Sequence, residues 1–406
     1  MQLTNPSGAA SGLRGRAAAA LLSLACACAG PWFAAPAAAG VLPEDRADLL
    51  YHRYDGGGVV VDGPSVLVRK KFADQVSVVA NYYLDLVSSA SIDVISTASP
   101  YTDERTQMSL GLDYLRGKTT YSIGYIDGDE SDYLARTAYL GISQDMFGDL
   151  TTISLGWRRG MNDVFRNIKE PVSGAKSRDP TFAQEMDTRA WSASLTQVLT
   201  RDLIGVLSYE LVTDEGYLNN PYRQIRYADP TAPRGFAFAP ELYPATKTSS
   251  AASARLKYSL PWWRAAVDGT YRFYTDTWGV KAQTLQLGYT QPAFGNWIFD
   301  ARYRYYTQDA ADFYRDLFPR RNTLNFQGRD KELSTYVGHT IGVGATWQFR
   351  VGRLPWLERG TVNLRYDYMM VGYDDFRDVT AGGLAGTEPL FELDASVIQF
   401  FVSAWF

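Results

Sequence analysis

From about residue 47 to its end, the chain alternates apolar and polar positions with a period of two, the pattern of strands that keep one face in an apolar medium. In "TQMSLGLDYL", Met108, Leu110, Leu112 and Tyr114 form one face, and Gln107, Ser109, Gly111 and Asp113 the other. The same alternation sets Tyr121, Ile123 and Tyr125 against Thr120, Ser122 and Gly124. Further on, Ile153, Leu155 and Trp157 oppose Ser154, Gly156 and Arg158, and Val362, Leu364, Tyr366 and Tyr368 oppose Asn363, Arg365 and Asp367.

A soluble sandwich also alternates, so the connections discriminate. Short ones at Lys71 to Gln75, Gly117-Lys118, Gln144 to Asp149, Thr200 to Leu203, Leu260 to Trp263, Gln291 to Asn296 and Arg350 to Arg359 take turns with others, several of them long. The long ones are Ser88 to Asp103, Met161 to Asp187, Asp214 to Thr248, Asp309 to Leu333 and Gly372 to Glu392. This parity predicts an all-β fold, a transmembrane antiparallel β-barrel with tight turns on the periplasmic side and variable loops outside. The count is about 16 strands if Ala47 to Asp55 and Val59 to Arg69 are the first two, joined by "GGG", and about 14 if that first hairpin stays out of the membrane.

The N-terminus carries a different pattern. An apolar stretch from Ala17 to Ala29 follows Arg14 and Arg16, and Ala37 and Ala39 supply small residues before Gly40, so residues 1–39 read as a secretory signal peptide and 40–406 as one barrel domain. Both cysteines, Cys26 and Cys28, lie in the leader, which leaves the expected mature chain without disulfide or thiol chemistry.

Composition adds two constraints. With 40 basic and 44 acidic residues the net charge is -4, which excludes a global positive field for nucleic acid. The 27 Tyr, 19 Phe and 10 Trp suit aromatic girdles, and Trp157, Trp191, Trp262, Trp263, Trp278, Trp297, Trp347 and Trp356 fall near strand ends.

Candidate chemistry is sparse. No C-x-x-C, H-E-x-x-H, G-x-S-x-G or phosphate loop occurs in a usable context, and the two histidines, His52 and His339, are far apart in sequence. His339 shares parity with Val337 and Ile341, on the lipid side. The expectation is a non-enzymatic protein without cofactor. The charges on the polar parity say more. Arg158, Arg255, Lys257, Arg272, Asp300, Arg302, Arg304, Arg365 and Asp367 are predicted to line the lumen, because a cation facing lipid at mid-membrane costs roughly 2–4 kcal/mol. Two readings stay open: a self-neutralising network that fills the barrel, or a basic stripe that selects anions.

Two connectors look acidic, "DGDESD" and "YDDFRD". Asp127, Asp129, Glu130 and Asp132 form a weak candidate cation site, for Ca²⁺ or for Mg²⁺ shared with lipopolysaccharide, although the spacing is not that of an EF-hand loop. At the C-terminus, Ile398, Phe400, Val402, Ala404 and Phe406 form an outward stripe, and the terminal Phe406 is the kind of signal barrel-assembly machinery reads. Phe401, on the opposite parity, points inward and argues for a locally packed lumen.

Three stretches, "LPEDRADLLYHRYDGGG", "SSASIDVISTASPYTDERTQMSLGLDYLRGKTTYSIGYIDGDESDY" and "SQDMFGDLTTISLGWRRGMNDV", resemble the bacterial DUF3570 family, whose members are predicted outer-membrane proteins of unknown function. The resemblance implies the compartment and a barrel, and carries over no substrate or catalytic residue. The function expected is a pore for small polar or anionic solutes. The alternatives are a structural or partner-docking barrel of an envelope system and, further off, a barrel-borne hydrolase using His52 and His339. Expected partners are outer-membrane lipid, lipopolysaccharide, the assembly machinery and an unidentified envelope protein.

Overall fold

The alternating runs become strands because their two faces demand different surroundings, and closure of the sheet satisfies every backbone group without an edge. The computed structural model describes residues 40–89, 101–169, 176–350 and 357–406. Residues 1–39 with Cys26 and Cys28, residues 90–100, residues 170–175 and residues 351–356 with Trp356 lie outside those described.

The strands are β1 (Arg46–Gly56), β2 (Val59–Phe72), β3 (Val76–Ser89), β4 (Tyr101–Arg116), β5 (Thr119–Glu130), β6 (Tyr133–Met146), β7 (Thr151–Lys169), β8 (Lys176–Thr200) and β9 (Leu203–Gly216). They continue through β10 (Gln224–Ala228), β11 (Phe236–Pro240), β12 (Thr246–Leu260), β13 (Ala265–Asp276), β14 (Lys281–Ala293), β15 (Trp297–Gln308), β16 (Tyr336–Phe349), β17 (Arg359–Arg377) and β18 (Leu390–Trp405). All but β10 and β11 form one closed antiparallel barrel of 16 strands, sealed by β1 against β18. The 14-strand alternative is therefore set aside: β1 pairs along its whole length with both β2 and β18. Its turn to β2 has two residues, Gly57 (φ 58°) and Gly58 (φ 76°), the left-handed pair that a tight hairpin of this twist requires.

The burial pattern is inverted relative to a soluble protein. Met108, Leu110, Leu112, Ile123, Leu140, Leu155, Leu207, Leu256, Leu287, Ile341 and Leu364 are exposed on the outer surface, which makes a continuous apolar belt. No helix among the described residues is long and apolar enough to cross a membrane; the strands make the crossing.

The external side departs from the expectation in two ways. Met161 to Asp187 is not a loop: β7 and β8, of 19 and 25 residues, stay paired out to Lys169 and Lys176 and form a ribbon. Likewise Asp127, Asp129 and Glu130 belong to β5, and Tyr373 to Arg377 belong to β17, so neither acidic stretch is a free connector. Long strands outrun the membrane where cross-strand pairing continues to satisfy the backbone. The Asp214 to Thr248 connection carries the small β10–β11 sheet.

Candidate functional site

The inner face of β12–β17 is built in rows set by the strand register. Arg255, Thr270, Gln286, Arg304 and Thr340 occupy one row, each opposite the next. Lys257, Asp268, Gly288, Arg302, Gly342 and Asp367 occupy the row below. Ser253, Arg272, Thr284 and Tyr306 lie above, and Asp300, Gly344 and Arg365 lie beneath. Period two keeps every one of these side chains off the lipid. This arc carries the cations Arg255, Lys257, Arg272, Arg302, Arg304 and Arg365 against the carboxylates Asp268, Asp300 and Asp367. Positive charge is in excess.

The charges are held unequally. Arg302 grips Asp367 through both forks, with Nε 2.7 Å from Oδ1, and Arg365 reaches Asp300 at 3.3 Å. Glycine makes this possible at two positions. A Cβ on Gly342 would stand 2.0 Å from Asp367 Oδ1, and one on Gly344 would stand 2.3 Å from Asp300 Oδ1, so the carboxylates lie flat against bare backbone. Arg255 meets Asp268 at 3.0 Å while keeping 46% of its side chain exposed to the interior. Arg272 and Arg158 share Glu210 at 3.9 and 3.8 Å, and Arg304 stacks over Tyr306. Lys257 has no ion-pair partner among the described residues. Weakly held, wetted guanidinium and ammonium groups are the ones free to meet a passing anion.

The arc of β17, β18, β1 and β2 is of another kind. Tyr54, Val61, Tyr373, Phe376, Leu393, Ala395 and Val397 pack into a buried cluster on the inner side near the external end. Beside it, His52 Nε2 lies 2.8 Å from Asp85 Oδ1 and 3.1 Å from the Tyr83 hydroxyl, with the His52 and Tyr83 rings stacked at 5.2 Å. Lower on the wall, Phe401 sits opposite Leu50 and Asn363, whose Nδ2 donates to the Phe401 carbonyl. Phe401 lies outside the buried cluster and is half-buried.

Above the strands, the connections 217–245, 309–335 and 378–389 fold on one another. Ile225, Ala239 and Phe318 form one core, and Tyr243, Trp278, Val280, Ala311, Phe313, Tyr314 and Leu333 another. Glu241 is buried among them, accepting from the Arg329 N–H at 2.6 Å and from the Tyr243 hydroxyl. Burial and the neighbouring Asp330 push its carboxyl up to about 7, against the pull of Arg223 and its hydrogen bonds. Asp132, in the β5–β6 turn, accepts from the Tyr222 hydroxyl at 2.7 Å, and burial raises its carboxyl.

A family profile described as "Protein of unknown function (DUF3570)" matches residues 92–400. The chain belongs to the DUF3570 family. Comparison with curated proteins finds no match. Among solved structures, this DUF3570 barrel is similar to the siderophore receptor PirA from Acinetobacter baumannii, with TM-score 0.42 and 10% identity over 89% of this chain and 60% of that one. It is similar to a bacterial polysaccharide outer membrane secretin, with TM-score 0.44 and 8% identity over 89% and 98% of the two chains. It is also similar to the outer membrane protein OprD from Pseudomonas aeruginosa, with TM-score 0.40 and 10% identity over 90% and 94%. The DUF3570 chain spans about 60% of the length of the first of these.

Of the residues singled out by sequence, the DUF3570 barrel brings the lumen set together and scatters the acidic one. Pleating puts Asp127 and Asp129 on the outer face and Glu130 on the inner, against Arg105 at 3.4 Å, while Asp132 turns to Tyr222. No trio of ligand-type side chains forms among the described residues, so the candidate cation site is withdrawn. His52 faces inward, and His339 faces outward, its Nδ1 2.8 Å from the Tyr303 hydroxyl; the two share no site. Phe406 ends the chain with its N–H on the Asp45 carbonyl and its ring beneath Lys70. The carboxylate-seating glycines escaped sequence reading, although their spacing in "GHTIGVGAT" was a usable signal.

Proposed function

We propose that this barrel is a bacterial outer-membrane pore for small polar and anionic solutes, with no catalytic step of its own. The observation that carries the proposal is the basic arc of β12–β15, where Arg255, Lys257, Arg272 and Arg304 stand in the interior, Arg272 only at 3.9 Å from Glu210 and Arg255 still 46% exposed although bonded to Asp268. An anion moving along that arc exchanges water for guanidinium forks, and the hydroxyls of Ser253, Thr270 and Thr284 accompany it. Arg302, held by Asp367 through two nitrogens, contributes shape rather than field. Lipid and lipopolysaccharide surround the apolar belt, and assembly machinery reads the strand ending in Phe406.

Planar-bilayer recording across a KCl gradient tests this. The expected result is a reversal potential displaced toward chloride, and its loss when Arg255, Arg272 and Arg304 are all replaced by Gln. Folded protein without conductance, or with cation preference, overturns it.

One observation favours a second reading, a partner-docking barrel with no open path. The external connections are folded into a cored cap, as a recognition surface would be. If replacing residues 224–240 by a short linker leaves co-purifying envelope proteins unchanged, the docking reading is lost.

A further inference from the structure

The cap crosses the mouth rather than lining its rim. Tyr222 and Arg226 are four residues apart, a reach of at most about 14 Å. Yet Tyr222 bonds Asp132, between β5 and β6, and Arg226 bonds Glu388, between β17 and β18. In the barrel order those two roots are separated by six strands one way and ten the other, roughly 30 Å of wall at the shorter. The connection 217–245 itself leaves the rim between β9 and β12, six strands from Glu388. Contacts with both roots from one short segment require it to stand over the opening.

One ionic node joins the pieces. Arg226 is wholly buried (0% exposed), and both its terminal nitrogens reach the carboxylate of Glu388, itself 1% exposed. Asp316 accepts from Arg226 and from Arg329, whose Nη2 is 2.9 Å away. Apart from Glu388, the 378–389 segment buries Val379 near its base and is held by few hydrogen bonds. Its base is closed by the Asp378 N–H on the Pro389 carbonyl at 2.9 Å, Arg377 holds the Glu388 carbonyl, and Arg234 reaches the Val379 carbonyl at 2.8 Å. Its body holds Gly382, Gly383 and Gly386 at positive φ, and Leu384 at its tip is 79% exposed. Among the described residues, Glu388 makes its one ion pair to the rest of the cap.

We infer that 378–389 is a lid over the external mouth, latched by Arg226 on Glu388. This rests on the pore reading and adds regulation to it. The four-member node of Arg226, Arg329, Asp316 and Glu388 explains how such a latch opens. A buried arginine stripped of its only carboxylate is an uncompensated charge, and that outcome is strongly destabilising. Here Arg226 keeps Asp316 when Glu388 leaves, and Glu388 goes from a buried site into water. With Asp316 still contacting both Arg226 and Arg329, neither guanidinium is left without a carboxylate, which permits a second arrangement of the segment. The closed arrangement is the one described, and conduction along the basic arc belongs to the open one.

Single-channel recording of the whole barrel tests the lid with three proteins: the natural chain, Glu388→Gln, and a variant with residues 380–386 replaced by Gly-Ser. Heat-modifiable migration in gels reports folding. The expected result is a natural chain that is mostly closed, a tenfold or greater rise in open fraction for Glu388→Gln at the same unit conductance, and constant opening for the shortened lid. Equal open fractions in conducting proteins overturn the lid and leave the pore reading intact. Folded proteins that are silent in all three overturn both. If Glu388→Gln does not fold, the shortened lid decides alone.

Discussion

The two inner arcs of this barrel are made by the same alternation and end in opposite states. On β12–β15 the inward positions hold Arg255, Lys257, Arg272 and Arg304 in contact with water. On β17, β18, β1 and β2 they hold Tyr54, Val61, Phe376, Ala395 and Val397, packed as tightly as a soluble core. An inward position is therefore not a wet position. What differs is the inward residue type: aromatic and aliphatic side chains of neighbouring strands, with Phe376 of β17 wholly buried, pack on one another in the second arc, while the first is left to its own charges and to glycine. The proposed solute path therefore lies on one side of the lumen, and the proposed lid is rooted on the other.

The comparison breaks first at Phe376. Replacing it by Ala removes a wholly buried ring and is expected to cost about 3–5 kcal/mol, read as a lowered melting point of the folded barrel. Thr270→Ala on the basic arc should change it by under ~0.5 kcal/mol. Equal losses would mean that the arcs do not differ in packing. Next in size, Gly342→Ala forces a methyl against Asp367 and Arg302 and should destabilise by about 1–3 kcal/mol. It should also free Arg302 and raise anion preference; unchanged selectivity would show that the paired arginine already acts on solutes.

The cap gives a pH test of smaller effect. Glu241 has its carboxyl raised to about 7, so the folded cap favours the protonated form. Its contribution is complete below the ordinary glutamate range and fades as pH rises through about 7, and Glu241→Gln should flatten cap stability between about 4.5 and 7. Glu388 works in the opposite sense. Burial, the largest single influence, would raise its carboxyl, but the hydrogen bonds and charge of Arg226 together with the backbone N–H donors of Glu388 and Gly386 hold it below the usual value, so its latch is present at neutral pH and lost only in acid. Hydrogen exchange at the cap amides follows both. The smallest expected effect is Arg304→Gln, with stability changed by under ~0.5 kcal/mol and reversal potential displaced toward zero.

Much of the barrel was legible. Strand identity, a barrel of about 16 strands with 14 as the alternative, closure by the first and last strands, and the inward set from Arg158 to Asp367 follow from parity, because side-chain direction in a strand depends on position alone; the pairing of β1 with β18 fixes the count at 16. Where parity ran out, the reading failed. Alternation alone makes Met161 to Asp187 a loop because its polar residues break the pattern, but above the membrane both faces of a ribbon meet water and no alternation is needed. Asp127 to Asp132 looked like one cluster because proximity in sequence ignores the pleat that sends successive carboxylates to opposite faces.

By itself, then, the sequence determined the membrane architecture, since an apolar medium on one side imposes a period that can be counted residue by residue. Only the tertiary structure decided which inward residues are wet, and that Arg226, Asp316 and Glu388, up to 162 positions apart, meet in one buried node. Those outcomes depend on loops from distant strands arriving at the same point over the mouth. Closure of the sheet sets that meeting, and no local pattern encodes it.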